Sequence, residues 1–226
     1  GKLRIPPDYR PGDDCRMELL KASGSLLVPR IEEIVEDVTS RLEQDGVKRD
    51  AADYNDRFAF YAYTYEAAFL KPDHQLYYLL NAALRAREDG KFKAWTPFIY
   101  YLNKALGGLP NIVTTVYKGM RNTQKHAAKY DGTKRVHWSG YTSTSTDIKV
   151  AKKFAGPNGL ILVIGVLNAK NVQAYSWFGK VESELMLSPN MEFQTSSGTE
   201  EHPEMGRRRI VDGRTYIDLT EIPGEK

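Results

Sequence analysis

The chain has 226 residues, of which 41% are hydrophobic and 27% charged, and its net charge is +3. This length and composition are typical of a globular protein with one domain or two closely packed lobes. No apolar run reaches the ~20 residues of a membrane span. The net charge is too small to indicate a nucleic-acid partner. Cys15 is the only cysteine, so internal disulfides and CxxC metal sites are excluded, and we expect no metal. Because the sequence shows neither disulfide pairs nor a targeting segment, we expect the protein to act in the cytosol.

The first half of the chain has helical periodicity. In RIEEIVEDVTSRLEQDG, residues 30–46, the apolar residues recur with i, i+3, i+4 spacing, and Gly46 stands where the pattern stops. This spacing predicts an amphipathic helix. The aromatic stretch DRFAFYAYTYEAAF, residues 56–69, is also predicted to be helical.

Two further helices are predicted before the middle of the chain. The stretch 72–90 carries an apolar stripe of leucine and alanine that Gly90 closes. The stretch 96–108 has Thr96 as a candidate N-cap, Pro97 at the first helical position and Gly107 as a left-handed stop.

The second half of the chain has the pattern of short strands. After residues 109–111 come four β-type runs, at 112–119, 140–145, 160–166 and 181–187. Near the end, Asp212 and Gly213 stand between two strand-like runs, which is a strong hairpin signal. The predicted organisation is a helical lobe over 1–110, in which 1–48 could be an extra helical hairpin, and a β-rich part over 111–226.

Two segments of the β-rich half could carry chemistry. In GKVESELMLSP, residues 179–189, strand alternation puts Glu182 and Glu184 on one face, about 6 to 7 Å apart at their bases, so a cationic partner is expected. The other is YTSTS, residues 141–145, before a short helix for which Ser145 or Thr146 is the predicted N-cap. Alone, such segments are more often a helix cap and a solvated sheet face.

The order of these segments resembles the arginine-specific mono-ADP-ribosyltransferases, whose pattern is an arginine on a first strand, then Ser-Thr-Ser, then Glu-x-Glu. WSGYTSTSTDIKVAKKFA, residues 138–155, is similar to the second motif of that family and the helix that follows it. YSWFGKVESELMLSPNMEF, residues 175–193, is similar to the third motif. The helices before residue 110 resemble those of the vertebrate-type enzymes, so the resemblance covers roughly 50–225.

The resemblance implies an α+β fold in which a helical lobe precedes a mixed β-sandwich of two small sheets, with NAD held in a cleft between them. It implies cleavage of the nicotinamide–ribose bond and transfer of ADP-ribose to an arginine of a target protein. We expect a monomer, and the sequence leaves open whether it is a toxin, an effector or a regulator. Glu184 would stabilise the oxocarbenium-like transition state through the ribose 2′-hydroxyl. Glu182 would orient the acceptor arginine, and Ser143 would position Glu184.

Further residues are assigned to NAD or to the target protein by the same resemblance. With Ser143, the residues expected to contact NAD are Lys118, Gly119, Arg121, Thr144, Ser145 and Phe154. Trp177 and Phe178 fall in the loop that would face the target protein.

Three of the NAD contacts raise specific expectations. Lys118 stands where the family has arginine, which offers a rigid fork to phosphate, so weaker NAD binding is expected unless Arg121 supplies the fork. Gly119 would let the nicotinamide amide reach the backbone. Phe154 is a candidate for either a ring beside the nicotinamide or a core residue.

Three alternative functions stay open at this point. The acceptor could be water, which would make the chain an NAD glycohydrolase. The lysine at position 118 could mark an inactive binding module on the same fold. Modification of DNA usually goes with glutamine at the first position of the Glu-x-Glu pair, so the observed Glu182 argues against it.

Overall fold

Contacts divide the chain into two units in the computed structural model, which describes residues 4–121, 123–130, 135–177, 183–195 and 209–224. Unit 1 consists of Gly1–Leu109 together with Val172–Val181. Unit 2 consists of Pro110–Asn171 together with Glu182–Lys226. Residues 172–181 therefore belong to unit 1, although in the sequence they lie between the two parts of unit 2.

Six α-helices build the described part of unit 1. They are α1 (Cys15–Lys21), α2 (Ser23–Leu26), α3 (Ile31–Gln44), α4 (Tyr54–Thr64), α5 (Leu76–Ala86) and α6 (Asp89–Gly107). The apolar stripe predicted for α3 is confirmed, since each of its members is buried: Ile31, Ile34, Val35, Val38 and Leu42. Residues 56–64 of the aromatic stretch lie in α4, and four of their rings are buried there: Phe58, Phe60, Tyr61 and Tyr63. The helix predicted for 65–69 is wrong, because Tyr65 takes an extended backbone with φ −61° and ψ 131°.

Helix α6 begins earlier than its predicted cap. The expected N-cap, Thr96, lies inside the helix and donates its hydroxyl to the carbonyl oxygen of Phe92 at 2.8 Å, and Pro97 is internal. The prediction of a start at Thr96 is wrong because Phe92 and Trp95 are both buried, so packing carries the helix through the preceding turn. Helix α5 is closed by Arg87, in the left-handed region with a φ of 54°, before Gly90 is reached.

Three helices, α1, α2 and α3, lie before residue 48, and this region contacts α4 and α6 of unit 1. The backbone N–H of Cys15 donates to Asn55 Oδ1 at 3.0 Å. The hydroxyl of Tyr101 on α6 donates to the carbonyl oxygen of Asp13 at 2.5 Å. Cys15 itself is buried between these elements.

Eight strands form one hydrogen-bonded network in the described part of unit 2. They are β1 (Ile112–Met120), β2 (Arg135–Trp138), β3 (Thr142–Ser145), β4 (Leu160–Asn171), β5 (Glu184–Leu187), β6 (Met191–Thr195), β7 (Arg209–Val211) and β8 (Arg214–Glu221). All pairs are antiparallel except β4 with β8. Because β1, β3, β5 and β4 pair in a closed ring, the two sheets expected from the resemblance are joined into one.

Strand β4 is buried on both faces, which explains its nearly continuous apolar sequence. Its alternate residues Leu160, Leu162 and Ile164 enter the main core of unit 2. Ile161 and Val163 pack on the other face, under helix α8 (Ile148–Ala155). A second short helix, α7 (Thr123–Ala127), follows β1.

The hairpin predicted near the end of the chain is confirmed. Asp212 has a φ of 51° and Gly213 a φ of 79°, as a type I′ turn between β7 and β8 requires. Strand β2 had no clear sequence signal and was not predicted. In the ranges that the structure describes, no helix is long and apolar enough to cross a membrane.

Candidate active site

Glu184 and the Ser-Thr-Ser segment meet on two neighbouring antiparallel strands, β3 and β5. Ser145 is directly opposite Glu184, and Ser143 is directly opposite Met186, so these four side chains share one face of the sheet. Directly opposite residues have Cβ atoms about 4.5–5.5 Å apart, whereas diagonal neighbours such as Ser143 and Glu184 are about 7–8 Å apart. The register puts Ser145 nearest to Glu184, and the hydrogen bond expected from Ser143 stays a prediction.

Burial differs along the Ser-Thr-Ser segment. Ser143 is exposed, whereas Thr144 and Ser145 are buried. The hydroxyl of Thr144 donates to the carbonyl oxygen of Leu185 at 2.8 Å, and the hydroxyl of Ser145 accepts the N–H of Asp147 at 3.0 Å. Ser143 is thus the hydroxyl of the segment that is open to a ligand, and the NAD contacts of all three residues stay predictions.

Helix α8 begins directly after this segment, with a cap that differs from the prediction. Asp147 is the N-cap, and its carboxylate accepts the N–H of Lys149 at 2.9 Å. Ser145 or Thr146 as N-cap is therefore wrong, because the helix starts one residue later than the pattern suggested. The N–H of Thr146 donates instead to the carbonyl oxygen of Ser183 at 2.9 Å, which ties the start of α8 to the start of β5.

A left-handed residue precedes Glu184. Ser183 has a φ of 69°, and β5 begins one residue later, at Glu184. Such a residue takes the chain out of extended geometry, so the alternation of β5 does not extend through Ser183. Glu182 and Phe178 lie outside the described residues, and their roles stay predictions.

Lys118 lies on β1, on the face opposite to the serines. Tyr117 is directly opposite Ser145, so Tyr117 shares the face of Ser145. Lys118, one residue on, shares its face with Val116 and Met120, which belong to or pack against the main core. Strand register therefore does not bring Lys118 onto the face of Glu184. Strand β3 pairs with β1 at this one position, and the two strands part beyond it.

Lys118, Lys125 and Lys129, which the sequence pattern did not group, form a basic cluster in the sense that their charges all act on the half-buried His126 of α7. Burial, and then the positive charges of Lys129, Lys125 and Lys118, lower the pKa of the His126 imidazole. Positive charges that act on one group in this way also attract anions such as a diphosphate. The spacing KHAAK at 125–129 after the strand lysine was the available signal. Arg121, at the end of β1, is exposed.

Gly119 packs against helix α8 and Phe154 is exposed, and the NAD contact of Gly119 stays a prediction. A Cβ on Gly119 would stand 1.9 Å from the carbonyl oxygen of Ala151 and 2.9 Å from the backbone nitrogen of Ala155, so the backbone of α8 packs directly on this glycine. Phe154 is 66% exposed, so a core position for it is wrong. The exposed ring leaves its proposed contact with nicotinamide open as a prediction.

Trp177 is held within unit 1. Its backbone N–H donates to Thr64 Oγ1 at 2.8 Å, and its carbonyl oxygen accepts Arg41 Nη1 at 3.2 Å. Its ring meets that of Tyr65 edge-on, with centroids 4.7 Å apart. Trp177 is half-buried in this position, and its contact with a target protein stays a prediction.

Among the described residues there is no group of three or more His, Cys, Asp or Glu side chains that could hold a metal ion. The side chains described above are a half-buried carboxylate at Glu184, an exposed hydroxyl at Ser143, an exposed ring at Phe154 and the lysines near His126; register brings only the first two onto one face of the sheet. Such groups can hold a dinucleotide and stabilise a developing positive charge.

Three solved structures with the same fold are distant from this chain in sequence. The ADP-ribosyltransferase HopU1 of Pseudomonas syringae pv. Tomato DC3000 has a TM-score of 0.62 at 18% identity, over 95% of this chain and 99% of HopU1. The eucaryotic mono-ADP-ribosyltransferase ART2.2 has a TM-score of 0.64 at 18% identity, over 94% and 86%. Exoenzyme S of Pseudomonas aeruginosa, in a complex bound to Carba-NAD, has a TM-score of 0.52 at 23% identity, over 91% and 88%.

The comparison with sequences gives a more specific result. No curated protein sequence matches the chain. The family model for NAD:arginine ADP-ribosyltransferases matches residues 48–207, which is more than half of the chain and includes the Ser-Thr-Ser and Glu-x-Glu segments. The chain therefore belongs to the NAD:arginine ADP-ribosyltransferase family, in which NAD is the co-substrate.

Proposed function

We propose that the chain transfers ADP-ribose from NAD to an arginine of a target protein, with Glu184 as the catalytic carboxylate. The bond between ribose C1′ and the nicotinamide nitrogen breaks, a bond from C1′ to a guanidinium nitrogen forms, and the guanidinium loses a proton. The observation that carries the proposal is the half-buried Glu184 opposite Ser145, at the start of β5. A carboxylate there stabilises the charge that develops on the ribose.

The proposal assigns further residues to NAD. Phe154 offers an exposed ring that can cover the nicotinamide, and Ser143 offers an exposed hydroxyl. Lys118, with the neighbouring Lys125 and Lys129, offers positive charge to the two phosphates. In this arrangement several point charges take the part of the arginine fork that the family pattern has at position 118.

The acceptor is assigned to arginine on two grounds. The matching family is described by NAD and arginine together. The Glu-x-Glu order keeps a carboxylate at Glu182, and carboxylates match guanidinium groups in a bidentate geometry.

Incubation with labelled NAD tests this function directly. The wild type is compared with Glu184→Gln and with Glu192→Gln, a control that removes a half-buried carboxylate from β6. Agmatine, which carries a guanidinium, serves as a small acceptor, and a cell lysate supplies protein acceptors. We expect transfer by the wild type and the control, and a loss of about 100-fold or more in Glu184→Gln, since that is the usual cost of removing one electrostatic contact to a transition state.

Other outcomes would point to the alternatives. Release of nicotinamide without labelling of agmatine or protein would make water the acceptor. Absence of both binding and turnover of NAD would make the chain an inactive module. Turnover retained by Glu184→Gln would contradict the role of this carboxylate.

A further inference from the structure

The segment before β5 is held at Trp177 by two helices of unit 1. Thr64 on α4 accepts the N–H of Trp177 at 2.8 Å, and Arg41 on α3 donates to its carbonyl oxygen at 3.2 Å. Both backbone polar groups of one loop residue are thus bound by side chains. Such double anchoring fixes the backbone of Trp177 and limits the orientations of its indole ring.

Cationic and aromatic side chains also contact the ring of Trp177. The guanidinium of Arg41 lies 5.2 Å from the centroid of the Trp177 ring and 5.6 Å from that of Tyr61, so it stacks on both. Tyr65 meets the indole edge-on at 4.7 Å. Two residues earlier, the ring of Tyr175 is stacked on Phe60, with centroids 5.2 Å apart and planes 17° apart.

Helix α3 supplies a polar stripe that supports these contacts. Asp37, Arg41 and Asp45 are spaced four residues apart, so they lie along one side of the helix and its C-cap. Asp37 accepts the hydroxyl of Tyr65 at 2.5 Å, and Asp45 accepts the hydroxyl of Tyr61 at 2.8 Å. Asp45 also pairs with Arg41 at 3.4 Å. Helix α3 therefore fixes Tyr61 and Tyr65 through hydrogen bonds, and Asp45 pairs with Arg41 on the same helix.

The position of α3 in the chain makes this arrangement informative. The family match begins at residue 48, and α3 (Ile31–Gln44) lies before it. An arginine outside the matched region thus reaches a tryptophan inside it, 136 residues later in the sequence.

We propose that Arg41 is a positioning residue for acceptor recognition, which fixes Trp177 so that its exposed part meets a polypeptide acceptor. Helix α3 then contributes to the choice of acceptor although it lies outside the family match. The inference rests on the proposed function, because it assigns Trp177 to the target protein.

Steady-state kinetics of Arg41→Ala test the inference. The acceptors are poly-L-arginine and agmatine, and NAD hydrolysis without acceptor is measured in parallel. We expect the KM for poly-L-arginine to rise about tenfold, which corresponds to the loss of one hydrogen bond from a charged donor. The KM for NAD and the rate of NAD hydrolysis should stay as in the wild type, because Arg41 has no part in the reaction itself.

Three further variants separate positioning from stability. Arg41→Lys keeps a cation that can donate to the Trp177 carbonyl, so it should recover part of the poly-L-arginine KM. Tyr65→Phe keeps the ring but loses the bond to Asp37, so it should raise that KM by a smaller factor. Arg30→Ala is the matched control, since Arg30 caps the same helix and stacks on Phe69 at 4.1 Å, away from the Trp177 contacts.

The outcomes separate this inference from the proposed function. An active wild type with an unchanged poly-L-arginine KM in Arg41→Ala would overturn the inference and leave the function standing. A parallel fall of NAD hydrolysis and transfer in Arg41→Ala would also overturn it, because a general loss of structure would explain the result. A wild type that binds NAD but transfers ADP-ribose to neither acceptor would overturn both.

Discussion

Replacement of Gly119 by alanine distinguishes a glycine required by packing from a glycine required by a ligand. The new Cβ would start 1.9 Å from the Ala151 carbonyl oxygen, and real Cβ atoms essentially never approach closer than 3.0 Å. Strand β1 and helix α8 would have to separate by at least about 1.1 Å. Because the opposing atoms belong to helix backbone instead of a flexible side chain, we expect the upper end of the usual cost of overpacking, about 3 kcal/mol.

Thermal and urea unfolding measure this cost. For a chain of this length, a loss of about 3 kcal/mol lowers Tm by about 6–12 °C. Gly165→Ala is the control, because it adds the same methyl group to β4 and meets its nearest neighbour, the carbonyl oxygen of Leu219, at an ordinary 3.9 Å. The control should change the free energy of unfolding by less than about 1 kcal/mol.

One result would refute the packing argument. If Gly119→Ala unfolds at the same temperature and urea concentration as Gly165→Ala, the close contact with α8 is not what selects glycine. A higher KM for NAD in that stable variant would then favour a role in approaching the nicotinamide.

Two other predictions concern the basic cluster. Lys118→Arg should lower the KM for NAD several-fold, because a guanidinium fork binds two phosphate oxygens where an ammonium binds as a point charge; an unchanged KM would show a site adapted to lysine. His126→Gln should reduce the loss of stability in acid. Burial and nearby lysines lower the pKa of His126 from 6.5, so the unfolded chain binds the proton first and stability falls as pH drops from 6.5 through the native value. Urea unfolding between about pH 5 and 7 measures the difference from wild type.

The elements with local signals could be predicted from the sequence. Helix α3 was found because its apolar stripe is regular, and the β7–β8 hairpin was found because Asp212 and Gly213 suit a turn with positive φ. The start of α6 could not be found, because Gly90 and Pro97 are local breaking signals that the burial of Phe92 and Trp95 overrides.

The candidate site was predictable in its motifs and less so in its geometry. The order of the Ser-Thr-Ser and Glu-x-Glu motifs in the sequence indicated the family. The register of β3 against β5 could not be predicted, because it depends on hydrogen bonds between distant segments. The left-handed Ser183 is held by Thr146, which lies 37 residues earlier. The lysines around His126 come together only when α7 folds beside β1.

The assignment of Val172–Val181 to unit 1 has a consequence for genetic exchange. A fragment that stops near residue 110 would lack Tyr175 and Trp177, and the rings of Phe60 and Tyr65 would face water. No single crossover can transplant unit 1 without also moving residues 110–171 of unit 2, so recombination between relatives should preserve α3, α4 and this later segment as one inherited set.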